Sequence, residues 1–170
     1  MLGWQAMDTL SAAHVVGLDK LAGLEQAARD LQEGRTDGVL EVLKDALELF
    51  EGELELHFRH EELALFPALA KVIGRAGTVG AMLAEHESIW NAVDRFGISV
   101  EDLAEGGDAQ VARRAAQAAN HIVFLLRGHI QREDSILFPL AASTLDDDGK
   151  REVDRNMDLV NAERTPLSAT

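Results

Sequence analysis

His57-Phe58-Arg59-His60-Glu61-Glu62-Leu63-Ala64-Leu65-Phe66-Pro67 and His129-Ile130-Gln131-Arg132-Glu133-Asp134-Ser135-Ile136-Leu137-Phe138-Pro139 carry one pattern twice, 72 residues apart. Histidine, glutamate, a second acid and Phe-Pro agree in type and spacing. The same offset carries His14 onto His86. Each half of the chain therefore holds one histidine on an early segment and His-x-x-x-Glu followed by Phe-Pro on a later one. Among only six histidines, this coincidence marks an internal repeat.

The segments around the repeat read as helices. The first is predicted from Asp8 to Glu33, with Asp8 or Thr9 as N-cap and Gly34 past the end. The second is predicted from Asp37 to Val72. Its apolar residues Val39, Leu40, Leu43, Leu47, Phe50, Leu54 and Phe58 recur at three- and four-residue steps, the mark of a buried stripe. Pro67 should kink or weaken its last turns. Gly74 to Gly77 reads as a turn. The third helix is predicted from Thr78 to Arg95, and Phe96 to Asp108 as a longer connection with a short helical turn at Val100 to Ala104. The fourth runs from Ala109 to Ala141, with Pro139 near its end. A final amphipathic helix, Lys150 to Glu163, would present Val153, Met157 and Val160, and the tail from Arg164 would fray.

No segment reads as a strand, and antiparallel helices joined by short loops form a bundle. The expected fold is all-α: an up-down-up-down four-helix bundle with an internal pseudo-twofold repeat and a short C-terminal helix. Residues 1–145 would form the bundle. Residues 146–170 would supply the last helix and tail, packed on the bundle or on a partner.

The composition bounds the chemistry. The chain has 170 residues, 46% of them hydrophobic, enough for one domain with a sizeable core. A formal charge of −14 repels phosphates, so neither nucleic acid nor an anionic membrane is expected as a partner. The absence of cysteine removes disulfides, thiolate nucleophiles, zinc–thiolate sites and iron–sulfur clusters. No signal peptide is expected at the N-terminus, and no apolar run approaches the roughly 20 residues that span a bilayer. A soluble, cytoplasmic protein is the expectation.

Helix geometry gives the repeat its chemical meaning. Residues four apart share a face, about 6 Å apart along the axis, so His-x-x-x-Glu aims an imidazole and a carboxylate at one volume. Two helical hairpins related by an approximate twofold would bring His14, His57 and Glu61 opposite His86, His129 and Glu133. Carboxylates buried there without partners would be costly. Divalent cations would balance their charge and satisfy their lone pairs.

This pattern resembles the hemerythrin-like family, also called the HHE cation-binding domain. The resemblance spans about Asp8 to Ala141 and rests on His14, His57-x-x-x-Glu61, His86 and His129-x-x-x-Glu133, with Phe66-Pro67 and Phe138-Pro139 in support. It implies a bundle holding two iron ions in a non-haem di-iron centre bridged by oxo, hydroxo or water, with manganese or zinc as other candidates. It further implies that Glu61 and Glu133 bridge the metals and that the histidines bind terminally. Oxygen-carrying members have a further histidine one turn along the third helix, where this chain has Met82 and Trp90. Four histidines instead of five move the expectation from oxygen carriage towards sensing, peroxide or nitric oxide chemistry, or iron handling.

Other polar residues have plainer readings. His60 corresponds to Arg132 and is expected to face solvent. Glu62 and Asp134, about 100° around the helix from the glutamates, suit a charged outer face first and a supporting role towards the histidines second. His121 reads as a core or channel-lining residue, not a ligand. Glu53, one turn before His57, would either hydrogen-bond an imidazole or lie on the surface. Phe58, Phe66, Phe138, Leu65, Leu137 and Trp90 are first of all core residues. Three functional classes follow. The first is a protein that binds or senses oxygen or a related small ligand, or stores iron. The second is a di-iron enzyme acting on peroxide or nitric oxide. The third is a structural bundle with a zinc-filled site.

Overall fold

The computed structural model describes residues 3–164. Helix α1 spans Gln5–Gln32. Helix α2 runs continuously over residues 39–73, α3 spans Thr78–Ala104, α4 runs over residues 109–144, and α5 spans Asp147–Arg164. Helix α1 lies against α2 and α4, and α3 lies against the same two, which is the ring of neighbours expected of an up-down-up-down bundle.

The repeat is visible in the backbone. Within α2, residues Glu61–Leu65 form a π-helical turn, and within α4 residues Glu133–Leu137 form another, again 72 residues on. Each begins at the glutamate of the motif and ends two residues before the proline. In a plain α-helix the proline ring collides with the carbonyl four residues back; a π turn, whose hydrogen bonds reach one residue further, gives that ring room. The helices therefore run on past Pro67 and Pro139 to Ile73 and Thr144, where kinked or weakened last turns were expected after Pro67. A third π turn, Phe50–Leu54, has no counterpart, because residues 122–126 are α-helical.

Other boundaries also differ from expectation. Helix α1 starts at Gln5, with Trp4 as N-cap instead of Asp8 or Thr9. Trp4 and Met7 are buried there, and the Trp4 indole Nε1 donates to Asp154 at 2.9 Å, which fixes the first turn. Helix α3 continues through the stretch read as a connection, because Phe96 and Val100 bury into the core and Gly97 stays helical. Helix α5 begins three residues earlier than expected. The tail after residue 164 lies outside the described residues.

Helix α5 packs on the bundle itself, against α1 and the second half of α2. Val153, Met157 and Val160 are all buried, as their spacing predicted. Arg59 donates to Glu163 at 2.7 Å and Lys71 to Glu152 at 2.5 Å. His60 is a correction: it is 5% exposed, lies under α5 and pairs through Nε2 with Asn161 Oδ1 at 2.8 Å. Its repeat counterpart Arg132 faces solvent because α5 covers only one half of the pseudo-twofold.

The core has two apolar clusters. One gathers Leu21, Leu43, Phe50, Phe58, Ile89, Phe96 and Ile122, and the other Met7, Leu10, Leu65, Phe66, Met82, Leu137 and Phe138. Along every helix of the bundle a histidine or His–Glu pair falls between residues of the first cluster and residues of the second. The candidate site is thus a polar layer between two dry ones. No helix among the described residues is long and apolar enough to cross a membrane.

Candidate metal centre

His14, His57, Glu61, His86, His129 and Glu133 are all buried, and both glutamates are completely so. Helices α1 and α3 each contribute one histidine; α2 and α4 each contribute a histidine and, one turn on, a glutamate. The fold thus brings all six residues together. Their ligand-type atoms form two overlapping groups, Glu61 with His86, His129 and Glu133, and His14 with His57 and Glu133. Within each group these atoms lie within 4.8 Å of one another.

The carboxylates lie between the histidine pairs. Glu61 Oε1 is 3.6 Å from His57 Nε2, and its Oε2 is 3.2 Å from His86 Nε2. Glu133 Oε2 is 2.9 Å from His14 Nε2, and its Oε1 is 3.0 Å from His129 Nε2. Each glutamate therefore turns one oxygen to one histidine pair and the other oxygen to the second pair. His14 and His57 approach through their Nε2 atoms at 3.2 Å.

These contacts leave hydrogen-bonding capacity unused. Among the described residues, both oxygens of Glu61, both of Glu133, and Nε2 of His86 and His129 are buried without an aligned hydrogen-bond partner. Six such atoms in one small volume would be heavily destabilising if nothing else engaged them. Two carboxylates and four imidazoles form a hard-to-borderline nitrogen and oxygen donor set, which suits divalent cations. The residues fit a metal site.

Protonation follows the same geometry. Burial pushes the Glu61 carboxyl well above its usual range, and the nearby Glu133 charge adds to that. Burial would also raise Glu133, but contacts from His129, His14 and His57 outweigh it and hold the group well below 4.5. Burial and the neighbouring His129 push His86 down to about 3, and burial also lowers His57. For His14 and His129 burial acts downwards too, yet Glu133 reverses the result for both, helped by Asp134 and Glu85 respectively.

The outer ring nitrogens show a second layer of carboxylates. His14 Nδ1 lies 2.8 Å from Asp134, His86 Nδ1 2.7 Å from Glu62, and His129 Nδ1 2.9 Å from Glu85. A carboxylate accepting from Nδ1–H leaves Nε2 with a free lone pair directed inward. Glu62 and Asp134 thus take the supporting role that was the second reading of them, and each reaches across to a histidine of the opposite half. Glu85 was missed. It adjoins His86, but its repeat counterpart is Ala13, so a search for matched pairs passes over it.

The remaining candidates fall away from this layer. Glu53 is exposed, with no hydrogen bond to His57. His121 is exposed as well, which corrects the core reading; its neighbours Ile122 and Val123 take the buried positions. Met82 is buried in an apolar cluster, and Trp90 packs edge-on against Phe58. The aromatic residues do more than fill space. Phe58 stacks on His86 at 3.6 Å between ring centroids, and Phe138 stacks on His14 at 5.2 Å.

A family model described as "Hemerythrin HHE cation binding domain" matches residues 5–141, from the first residue of α1 to the last turn of α4. Comparison with curated proteins gives no match.

Proposed function

The chain belongs to the family of hemerythrin HHE cation-binding domains, and on that premise we propose that it holds two iron ions and uses them to bind or sense oxygen or a related small ligand, or to handle iron. One observation carries the reading: six buried, unsatisfied nitrogen and oxygen atoms converge between the helices. His14 and His57 would hold one ion, His86 and His129 the other, with Glu61 and Glu133 shared between them. A pair of iron ions would supply reversible one-electron chemistry towards dioxygen, peroxide or nitric oxide.

The protein's own part is preparation. Asp134, Glu62 and Glu85 fix three imidazoles in the tautomer that keeps Nε2 unprotonated. Phe58, Phe66 and Phe138 are buried and lie against His86 and His14, walling the layer. The two glutamates neutralise positive charge and span the histidine pairs. Manganese or zinc would meet the same donors, because affinity alone does not select iron.

A second reading is a di-iron enzyme acting on peroxide or nitric oxide. It is favoured by Met82, whose apolar packing leaves the His86 side without a further imidazole and so leaves more room for exchangeable ligands. Metal analysis of protein from iron-supplied cells, with visible spectra under nitrogen, air and peroxide, tests both. About two irons per chain and an oxygen-dependent charge-transfer band support binding or sensing, and rapid peroxide turnover supports the enzyme. Zinc alone, or no metal, refutes both. Unchanged metal content after Glu61→Ala and Glu133→Ala would refute the shared-carboxylate assignment.

A further inference from the structure

The two halves differ on one side of the polar layer. A half-open cavity of about 290 Å³ lies between α1, α2 and α4, with His14, His57, His129 and Phe58 along it and Glu53 also on its lining. Three differences between the repeats create it. Gly17 stands where the other half has Ile89, which is 1% exposed and packed into the core. A β-carbon on Gly17 would meet no atom within 4 Å, so the space beside it is open. Ala13 stands where the other half has Glu85. The π turn Phe50–Leu54, absent from α4, also lies along the cavity.

The same substitution of alanine for glutamate has a chemical result. Among the described residues, His57 is the only one of the four histidines whose Nδ1 has no carboxylate beside it, since Ala13 cannot do for His57 what Glu85 does for His129. With Nε2 given to a metal ion, Nδ1 would carry the ring proton, and His57 lines the cavity. The walls are otherwise mostly apolar, for example Leu21, Leu54 and Ile130. The exposed carboxylate of Glu53 and a chain charge of −14 disfavour an anionic guest.

We propose that this cavity binds a small neutral organic molecule, of about one aromatic ring, with a single hydrogen-bond acceptor that takes the His57 Nδ1–H. An apolar cavity of about 150 Å³ already suffices for benzene, so a substituted ring fits with space left. Dioxygen or peroxide would need far less. The guest would lie beside His14 and His57, with His129 also on the wall and His86 away from it. The inference rests on the proposed metal reading only for the tautomer of His57; the cavity itself does not depend on it.

The test is calorimetric titration of the purified full chain with p-cresol and with toluene, with metal content determined on the same samples. Saturable binding of p-cresol is expected, with toluene roughly tenfold weaker for want of one hydrogen bond. Gly17→Ile, which copies the other half and places a side chain in open space on a helix, should abolish binding of both while keeping metal content and fold. Ala13→Glu, which gives His57 the carboxylate that His129 has, should remove the preference for p-cresol. No saturable binding of either probe, or unchanged binding in Gly17→Ile, overturns the proposal. Equal binding of the two probes by the wild-type chain overturns the role of His57. Absence of metal with binding intact would count against the metal reading and leave the cavity standing.

Discussion

The unequal support of the two histidine pairs makes a quantitative prediction about metal release. His86 and His129 each have a carboxylate on Nδ1, whereas of the other pair only His14 does. Loss of such a supporting group typically weakens metal binding about 10–100-fold, or about 1.4–2.7 kcal/mol. Glu85 is 25% exposed and also holds Arg132 Nε at 2.6 Å, so partial screening places the expected value near the lower end, about tenfold. The fully loaded protein should therefore lose its metals in two steps under a chelator, the His14–His57 position first. Glu85→Ala makes the second half resemble the first at this position, and should bring the two steps together by about the same tenfold factor. Arg132→Ala, which removes only the cation beyond Glu85, should leave the steps apart. The assay is chelator titration with elemental analysis of the retained metal at each point. Release in a single step from the wild-type chain, or an unchanged separation in Glu85→Ala, refutes the reasoning.

Three further outcomes are expected. Metal binding requires unprotonated imidazoles and carboxylates, and His14, His129 and Glu61 all have raised proton affinity in the metal-free site. Protons then compete as pH falls through those raised values and cease to compete above them, so chelator-competition affinity should rise with pH through the ordinary imidazole range and beyond it before levelling off; a flat profile would contradict this. Phe58→Ala removes a ring 2% exposed that stacks on His86, and should cost about 3–5 kcal/mol in denaturant unfolding of the metal-free protein; a loss below about 1 kcal/mol would show that the ring is dispensable. Val153→Asp places a charge where α5 is completely buried, and should release hydrogen-exchange protection along α5 while residues 5–144 stay protected. Unchanged protection of α5 would mean that its polar ties to α2 suffice.

The six central residues were legible because the repeat supplies an internal control: a histidine that recurs at a fixed offset, with a glutamate one turn on, is unlike a histidine placed by chance. The same filter explains the failures. Glu85 breaks the repeat and so carried no signal, although it contacts His129 across two helices. His60 was read as outward because its counterpart is Arg132, but equivalence of sequence is not equivalence of surroundings once α5 covers only one half. The extension of α3 through Gly97 depended on burial of Phe96 and Val100, which local residue preference does not report. The long helices around Pro67 and Pro139 depended on π turns, for which the sequence pattern has no separate mark.

Those π turns divide the mechanical properties of the site. All four histidines stand on α-helical segments, His57 on the short one between two π turns. Both central glutamates stand at the first residue of a π turn, where the helix is locally wider and its hydrogen bonds span five residues instead of four. The imidazoles are thus held on stiff supports and the carboxylates on compliant ones. A centre built this way can follow changes in ionic size or charge by small movements of two carboxylates while the four rings keep their positions.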